Sequence, residues 1–474
     1  MSIPLVIDLD GTLIHSDLLL ESSLSFLKRQ PLRLLEPIRW LASGKSILKS
    51  RLAQSAPIDV SVLPYNKAVL ELINREKAQG RKIVLATASH RSYAEEIASH
   101  LGIFDQVMAT DEHVNLSAQR KRDALVREYG EGGFDYAGNS TDDLPVWKAA
   151  RHAYLVNSNG RISREAKLHG NVADELKPDS RSLLRTWAKA LRLHQWAKNA
   201  LIFIPLLASH RLLEIDLLAD GLVAFLLFGL CASSVYVLND LLDLDDDRHH
   251  ASKRKRPFAS GALSIGSGLV AFPLLLATAF VGALLILPWK FALALGSYYL
   301  LTVAYSFWLK RMMSVDVIVL AMLYTSRIIA GTFAFGVRLT FWMLAFSMFI
   351  FLSLALVKRY AELRDARAKG KDSKTRGRGY FPDDLEMISS LGASSGYLSV
   401  MVLALYIQDG STASMYHYPQ LIWLACPLLL YWITRIWMLT HRGAMHEDPV
   451  VFAIKDRTSL LVGALFALTF WIAT

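Results

Sequence analysis

Asn239, Asp243 and Asp247 recur at every fourth residue where a long apolar run, Leu217 to Leu238, gives out. On a helix that spacing puts three oxygen-bearing side chains on one face. Carboxylates at a helix C-terminus oppose the macrodipole and repel one another, so the arrangement calls for a cation. Hard oxygen donors suit Mg²⁺, which usually bridges to substrate phosphates. A solvated acidic cap that keeps a helix end in water is the plainer alternative. Arg248 follows directly, and then the basic run Lys253-Arg254-Lys255-Arg256 before Pro257. Arg248 and Arg256 are candidates for binding substrate phosphates, although such a run also serves as a snorkelling membrane anchor.

A second carboxylate pair stands near the N-terminus. Leu5-Val6-Ile7 reads as a short buried strand and leads into Asp8-Leu9-Asp10-Gly11-Thr12, with Gly11 allowing a sharp turn. This resembles the first motif of the haloacid dehalogenase (HAD) superfamily of phosphatases. The resemblance implies that Asp8 is the nucleophile and Asp10 the general acid/base. It also implies that Thr87, in Lys82-Ile83-Val84-Leu85-Ala86-Thr87, binds phosphate and that Lys121 neutralises the phosphoryl group, with Arg120 and Arg122 as alternative registers. The metal-binding loop would be Gly138-Asn139-Ser140-Thr141-Asp142-Asp143. The family usually has Gly-Asp where this chain has Gly138-Asn139. An amide oxygen still ligates Mg²⁺, but one negative charge is gone, leaving Asp143, or Asp142, to carry more of the metal binding beside Asp8 and Asp10. Residues 14 to about 75 have helical periodicity and fit a small helical cap. A degenerate domain kept for docking or regulation is the alternative.

These two sets belong to different kinds of chain. The 474 residues allow two or three domains. Residues 1–178 have ordinary charged composition and are expected to form an α/β Rossmann-like HAD domain. Residues 179–198 read as a basic amphipathic linker lying along a membrane face. Residues 199–474 are a series of apolar runs, expected as an all-α membrane domain of about nine transmembrane helices centred near residues 205, 228, 275, 299, 324, 350, 397, 428 and 463. The net charge of +10 would suit nucleic acid or anionic lipid. Lipid and phosphate-bearing substrates are expected rather than nucleic acid, because the basic residues of this half sit in short loops beside apolar spans. The same loops predict a multi-pass protein of the plasma (inner) membrane with the HAD domain and both sites cytoplasmic. Cys231 and Cys426 lie inside apolar runs and suggest neither a disulfide framework nor a zinc site. Oligomeric state is left open.

The apolar span, the Asn-x3-Asp-x3-Asp series, Arg256-Pro257 and Gly261 together resemble the first motif of the UbiA superfamily of intramembrane prenyltransferases, and Tyr305 to Lys310 matches a Tyr-x4-Lys segment common there. The second acidic motif departs: after the sixth span the chain has Lys358-Arg359-Tyr360-Ala361-Glu362. With His194-Gln195-Trp196-x-Lys198-Asn199, Asp247-Arg248-x-His250 and Asp448-Pro449, that departure resembles one branch, the decaprenyl-phosphate phosphoribosyltransferases. The resemblance implies transfer of ribose 5-phosphate from phosphoribosyl diphosphate to a polyprenyl phosphate, with Mg²⁺ held by Asn239, Asp243 and Asp247. Two anions must meet, so extra cations are needed: Lys198, Lys358 and Arg359 are candidates. Glu362 is a candidate to stabilise positive charge on the ribose. Arg327, within a span, is expected to bind substrate or to pair with Asp316. The HAD domain would remove the 5-phosphate. A conventional aromatic prenyltransferase and a membrane-anchored lipid-phosphate phosphatase are the rivals. The segment 366–380 is a basic loop expected to close over sugar phosphates or to solvate the surface.

Overall fold

The structure is a computed structural model that describes residues 3–33, 35–112, 114–168, 170–177, 182–368, 379–409, 416–445 and 448–473. The basic stretch 369–378, most of the expected loop, lies outside them, as do 178–181 of the linker. By contact the chain divides into two units: Met1–Leu191 with Tyr236–Pro273, and Arg192–Val235 with Leu274–Thr474. The acidic series Asn239–Asp247 therefore groups with the N-terminal domain.

The first unit is built on six strands, β1 (Leu5–Ile7), β2 (Ile83–His90), β3 (Gln106–Thr110), β4 (Asp135–Gly138), β5 (Ala153–Val156) and β6 (Val172–Leu176). They form one sheet in the order β3-β2-β1-β4-β5-β6, parallel at every pairing. β1 and β4 are buried throughout, as parallel strands covered by helices must be; β1 is wholly apolar, and β4 buries Asp135 beside Tyr136, Ala137 and Gly138. The order reverses between β1 and β4, and the loops leaving their carboxyl ends flank the crevice where ligands bind in such sheets. Asp8 and Asp10 follow β1 and Asn139 follows β4. The helices Leu18–Arg29, Glu36–Ala42 and Lys45–Ser55 form the small cap.

The end of helix Ile215–Leu242 also belongs to this unit. The helix stops at Asp243, and a short helix, Leu244–His249, starts there. The break has an electrostatic reason. Carried on in one helix, Asp245, Asp246 and Asp247 would face the negative end of the dipole; after the break they occupy a first turn, where carboxylates are favoured.

In the second unit, helix Val315–Phe335 packs on Phe341–Ala368, which packs on Leu385–Gln408. Among the described residues, six helices are long and apolar enough to cross a membrane: Ile215–Leu242, Ile265–Ile286, Val315–Phe335, Phe341–Ala368, Pro382–Gln408 and Pro419–His441. The other three expected spans are not confirmed. Near residue 205 the chain forms 3-10 turns over Leu193–Phe203 and a five-residue helix, Ile204–Ala208. Near 299 the 19-residue helix Trp289–Phe307 is diluted by Ser297, Tyr298, Tyr299, Thr302, Tyr305 and Ser306. Near 463, Arg457–Ala473 has 17 residues, a rise of about 26 Å against a hydrocarbon core of roughly 30 Å.

Candidate active sites

The carboxyl edge of the sheet gathers the first constellation. Lys121, in helix Ala118–Tyr129, donates to Asp8 Oδ1 at 2.7 Å and to the Tyr136 hydroxyl at 2.8 Å, and stands 3.5 Å from Asp143 Oδ1. Of the three basic residues at 120–122, only Lys121 is buried. Asp10 Oδ2 accepts from Ser89 Oγ at 2.5 Å, and Oδ1 accepts from the Leu18 amide at 2.9 Å. Thr87, fully buried in β2, uses its Oγ1 to accept from the Ser89 amide. Asp143 is engaged by Tyr136, by the amides of Asn139 and Ser140 and by the Ser140 hydroxyl, so it orders its own loop, while Asp142 is exposed. Gly138 is required here, because a Cβ would stand 2.7 Å from Asp143 Oδ2 and 2.8 Å from the Tyr136 ring. The Asn139 side chain lies against Gly11, whose φ of +73° also favours glycine.

Burial raises both motif carboxyls. Asp8 is pushed up to about 7, with Lys121 opposing and Asp143 adding to the rise. Asp10 is pushed up to about 6 by burial and Asp17, against the hydrogen bond from Ser89. Lys121 is held above the ordinary lysine value: burial opposes its charge, and Asp8 and Asp143 more than restore it. Asp8, Asp10 and Asp143 thus meet the ammonium groups of Lys121 and, near Asp10, of Lys49, which leaves carboxylate in excess. That excess, with oxygen donors from Asp8 and Asn139, fits a hard divalent cation. Two carboxyls held near neutrality suit proton transfer, and the Lys121 ammonium at 2.7 Å favours the carboxylate form of Asp8.

The acidic series is distributed differently from the one-face expectation. Asp243 Oδ1 and Asp246 Oδ2 both accept from Lys28 Nζ, at 2.6 and 2.8 Å. Asp240 Oδ1 and Asp247 Oδ2 both accept from Arg256 Nη1, at 3.1 and 2.7 Å. Burial raises the Asp247 carboxyl above its ordinary value, against the pull of Arg256. Asn239 lies one turn before the helix break, its carbonyl accepting from the Asp243 amide. Arg248 is buried and spends its donors on Glu21, on Ser16 Oγ and on the Ala259 carbonyl. The carboxylate oxygens of Asp240, Asp243, Asp246 and Asp247 suit Mg²⁺ in type. Among the described residues, no three acidic, histidine or cysteine side chains converge to hold an ion in this arrangement.

In the second unit, Asp448 is the hub. Its carboxylate, 5% exposed, accepts from Lys198 Nζ at 2.8 Å, from Lys358 Nζ at 3.4 Å and from the Tyr324 hydroxyl at 2.7 and 2.9 Å. Arg327 donates to Asn199 Oδ1 at 3.1 Å and lies against the rings of Phe228 and Tyr298. Burial pushes Lys198 down to about 8; Asp448 opposes this, and the charges of Lys358 and Arg327 add to it. Burial alone would raise Asp448, but Lys198 and Lys358 hold it well below the carboxylate range. Two lysines share the one Asp448 carboxylate, and the Arg327 charge adds to the positive field at Lys198. Arg359 is otherwise spent: it is fully buried against Asp316, and it also holds Glu362 and meets the Tyr305 hydroxyl at 3.3 Å. Asp316 therefore pairs with Arg359, which corrects the expected Arg327–Asp316 pair.

Three participants escaped the sequence reading. Lys28 and Lys49 are cap lysines; Lys49 donates to the Ala88 carbonyl at 2.6 Å and to Asn115 Oδ1 at 2.9 Å, close to Asp10. Nothing in their local sequence separates them from surface lysines. Asp448 was visible in the Asp448-Pro449 dipeptide, which caps helix Pro449–Lys455, but its role as a shared anion was not.

Comparison with known proteins finds two families in the chain. Residues 200–472 match the model of the UbiA prenyltransferase family, and residues 5–147 match that of the haloacid dehalogenase-like hydrolases. An uncharacterized protein, y4nM of Sinorhizobium fredii, is 39% identical over 99% of this chain and 91% of its own length. Nodulation protein NoeC of Azorhizobium caulinodans is 38% identical over 60% of this chain and 92% of its own. Decaprenyl-phosphate phosphoribosyltransferase of Mycobacterium tuberculosis is 31% identical over 60% of this chain and 91% of its own.

Proposed function

Because the chain belongs to the UbiA prenyltransferase family and carries an N-terminal HAD-like domain, we propose that it is a bifunctional enzyme of polyprenyl phosphate. Its transferase half joins the ribose 5-phosphate of phosphoribosyl diphosphate to the lipid phosphate, and its HAD half removes the 5-phosphate. The observation that carries the reading is the cationic surplus of Lys198 and Lys358 on the single Asp448 carboxylate, with the Arg327 charge felt at Lys198. A dianionic phosphate group balances such a surplus, and the neutral ring of an aromatic acceptor does not. The 31% identity to a phosphoribosyltransferase over the membrane half agrees.

In the transfer step a lipid phosphate oxygen attacks C1 of the ribose. The C1–O bond to diphosphate breaks, and diphosphate leaves with the electron pair. Asn239, Asp243 and Asp247 would hold Mg²⁺, and the chemistry it would supply there is neutralisation of diphosphate charge. Lys198 and Lys358 draw a substrate phosphate against its repulsion by the other anion. In the hydrolytic step the Asp8 carboxylate attacks phosphorus, and Asp10 gives its proton to the departing 5-oxygen. Asp10 then takes a proton from the water that opens the aspartyl phosphate. Lys121 stays on Asp8 and offsets charge on the phosphoryl oxygens. We place the protein in the plasma membrane with both sites cytoplasmic, which keeps the lipid product near the second site at high effective concentration.

The test is incubation of the full-length protein in detergent with Mg²⁺, radiolabelled phosphoribosyl diphosphate and polyprenyl phosphate. Label should enter the organic phase and be lost in Asp243→Ala. Label that stays aqueous, together with turnover of a prenyl diphosphate and an aromatic acid, would replace this reading with that of an aromatic prenyltransferase.

A further inference from the structure

Helix Leu18–Arg29 begins on one acidic site and ends on another. Its first amide, that of Leu18, donates to Asp10, and one turn later Glu21 holds Arg248 in a buried pair with side chains 6% and 3% exposed. At its last turn Lys28 reaches Asp243 and Asp246 at 2.6 and 2.8 Å. The Gly261 backbone packs directly on His15, whose side chain would collide with any Cβ there. The cap is thus fastened to the segment after Asp247 by a buried pair and a close backbone contact, and it holds an ammonium group on the acidic series.

The two cation contacts differ in kind. Arg248–Glu21 is out of water, and breaking such a pair leaves an uncompensated buried charge. Lys28 and Asp243 are 26% and 30% exposed, and Asp246 is 53% exposed. A part-exposed pair of this sort contributes less than a buried one, so it is the easier of the two to open. We propose that Lys28 is the resident counter-ion of the transferase acidic series, so that a divalent cation gains Asp243 only by displacing Lys28, and the HAD cap sets the metal affinity of the transferase. This rests on the reading of Asn239, Asp243 and Asp247 as metal ligands. An ammonium group on Asp243 Oδ1 takes one of that oxygen's lone pairs and repels a second cation, so the two compete for Asp243. Arg248–Glu21 holds the cap in place during the exchange.

The experiment is a Mn²⁺ titration of full-length protein in detergent, with free Mn²⁺ read by its electron paramagnetic resonance signal. It is run in an Asp8→Asn background, which removes a carboxylate ligand of the HAD site. Lys28→Met should bind Mn²⁺ about two- to fivefold more tightly, and Lys28→Arg should match the parent. Lys28→Gln replaces the Met variant if the latter loses its melting transition. Asp243→Asn should remove the binding in every background. An unchanged or weakened affinity in Lys28→Met, with Asp243→Asn still removing the ion, overturns the role of Lys28 and leaves the metal reading standing. Binding insensitive to Asp243→Asn overturns both.

Discussion

Replacing Lys198 with methionine removes one ammonium group from the Asp448 hub with little change of shape. Asp448 keeps Lys358 at 3.4 Å and the Tyr324 hydroxyl at 2.7 Å, so the fold should survive. The phosphate-bearing substrate loses one charge-assisted hydrogen bond, worth about 1.5–3 kcal/mol, or roughly 10- to 150-fold in kcat/KM. The transfer assay, run with each substrate varied in turn, shows whether the lipid phosphate or the sugar phosphate feels the loss. The pH dependence gives an independent check. Burial holds the Lys198 amine down to about 8, so the free enzyme should lose kcat/KM as pH rises through that value. Lys198→Arg, which stays charged, should abolish the fall. A Lys198→Met enzyme within threefold of the parent, or a pH profile that Lys198→Arg leaves unchanged, would refute a phosphate-binding role.

Asp10→Asn should slow hydrolysis of the 5-phosphate by about 10²–10⁴-fold, the usual worth of a general acid/base, and leave transfer intact, as separate assays of inorganic phosphate and lipid label would show. Asn139→Asp restores the missing negative charge beside Asp8, so hydrolysis should reach half its rate at a lower Mg²⁺ concentration. Asp135, fully buried between Arg81 and Arg151 at 2.6–2.9 Å, offers a stability test. Asp135→Asn should cost about 3 kcal/mol and lower the melting transition of the HAD domain. Burial opposes the Asp135 charge, but the two arginines outweigh it and lower the carboxyl. Its contribution is therefore complete above the unfolded value of about 3.9 and is lost as pH falls through the lower folded value.

The HAD half was legible because its chemistry sits at the ends of strands. Leu5-Val6-Ile7 and Ile83–Thr87 are uninterrupted apolar runs, each followed by polar residues, so strand, loop and reactive side chain are contiguous in sequence. The sequence also singled out Lys121, because the motif prescribes a lysine there, and burial separates it from its basic neighbours. The acidic series was harder. A four-residue spacing implies one face only while a helix continues, and the break at Asp243 sends Asp243 and Asp246 to Lys28 but Asp240 and Asp247 to Arg256. Contacts such as Lys28–Asp243, 215 residues apart, leave no periodic trace in the chain. Arg359 illustrates the opposite error. Its place beside Lys358 suggested substrate, whereas a fully buried guanidinium finds its partner inside the protein, here Asp316. Hydropathy located the long spans, and its other spans are not confirmed where Pro205 and the tyrosines and hydroxyls of Trp289–Phe307 interrupt apolar character.

The most direct test of the account is the mass of the lipid made by the intact protein from phosphoribosyl diphosphate and polyprenyl phosphate. The Asp8→Asn enzyme should accumulate polyprenyl phosphate carrying ribose 5-phosphate, and the parent enzyme should yield the same lipid lighter by one phosphate group. A polyprenyl phosphate unchanged in mass with both proteins, while the parent consumes a prenyl diphosphate, would contradict it.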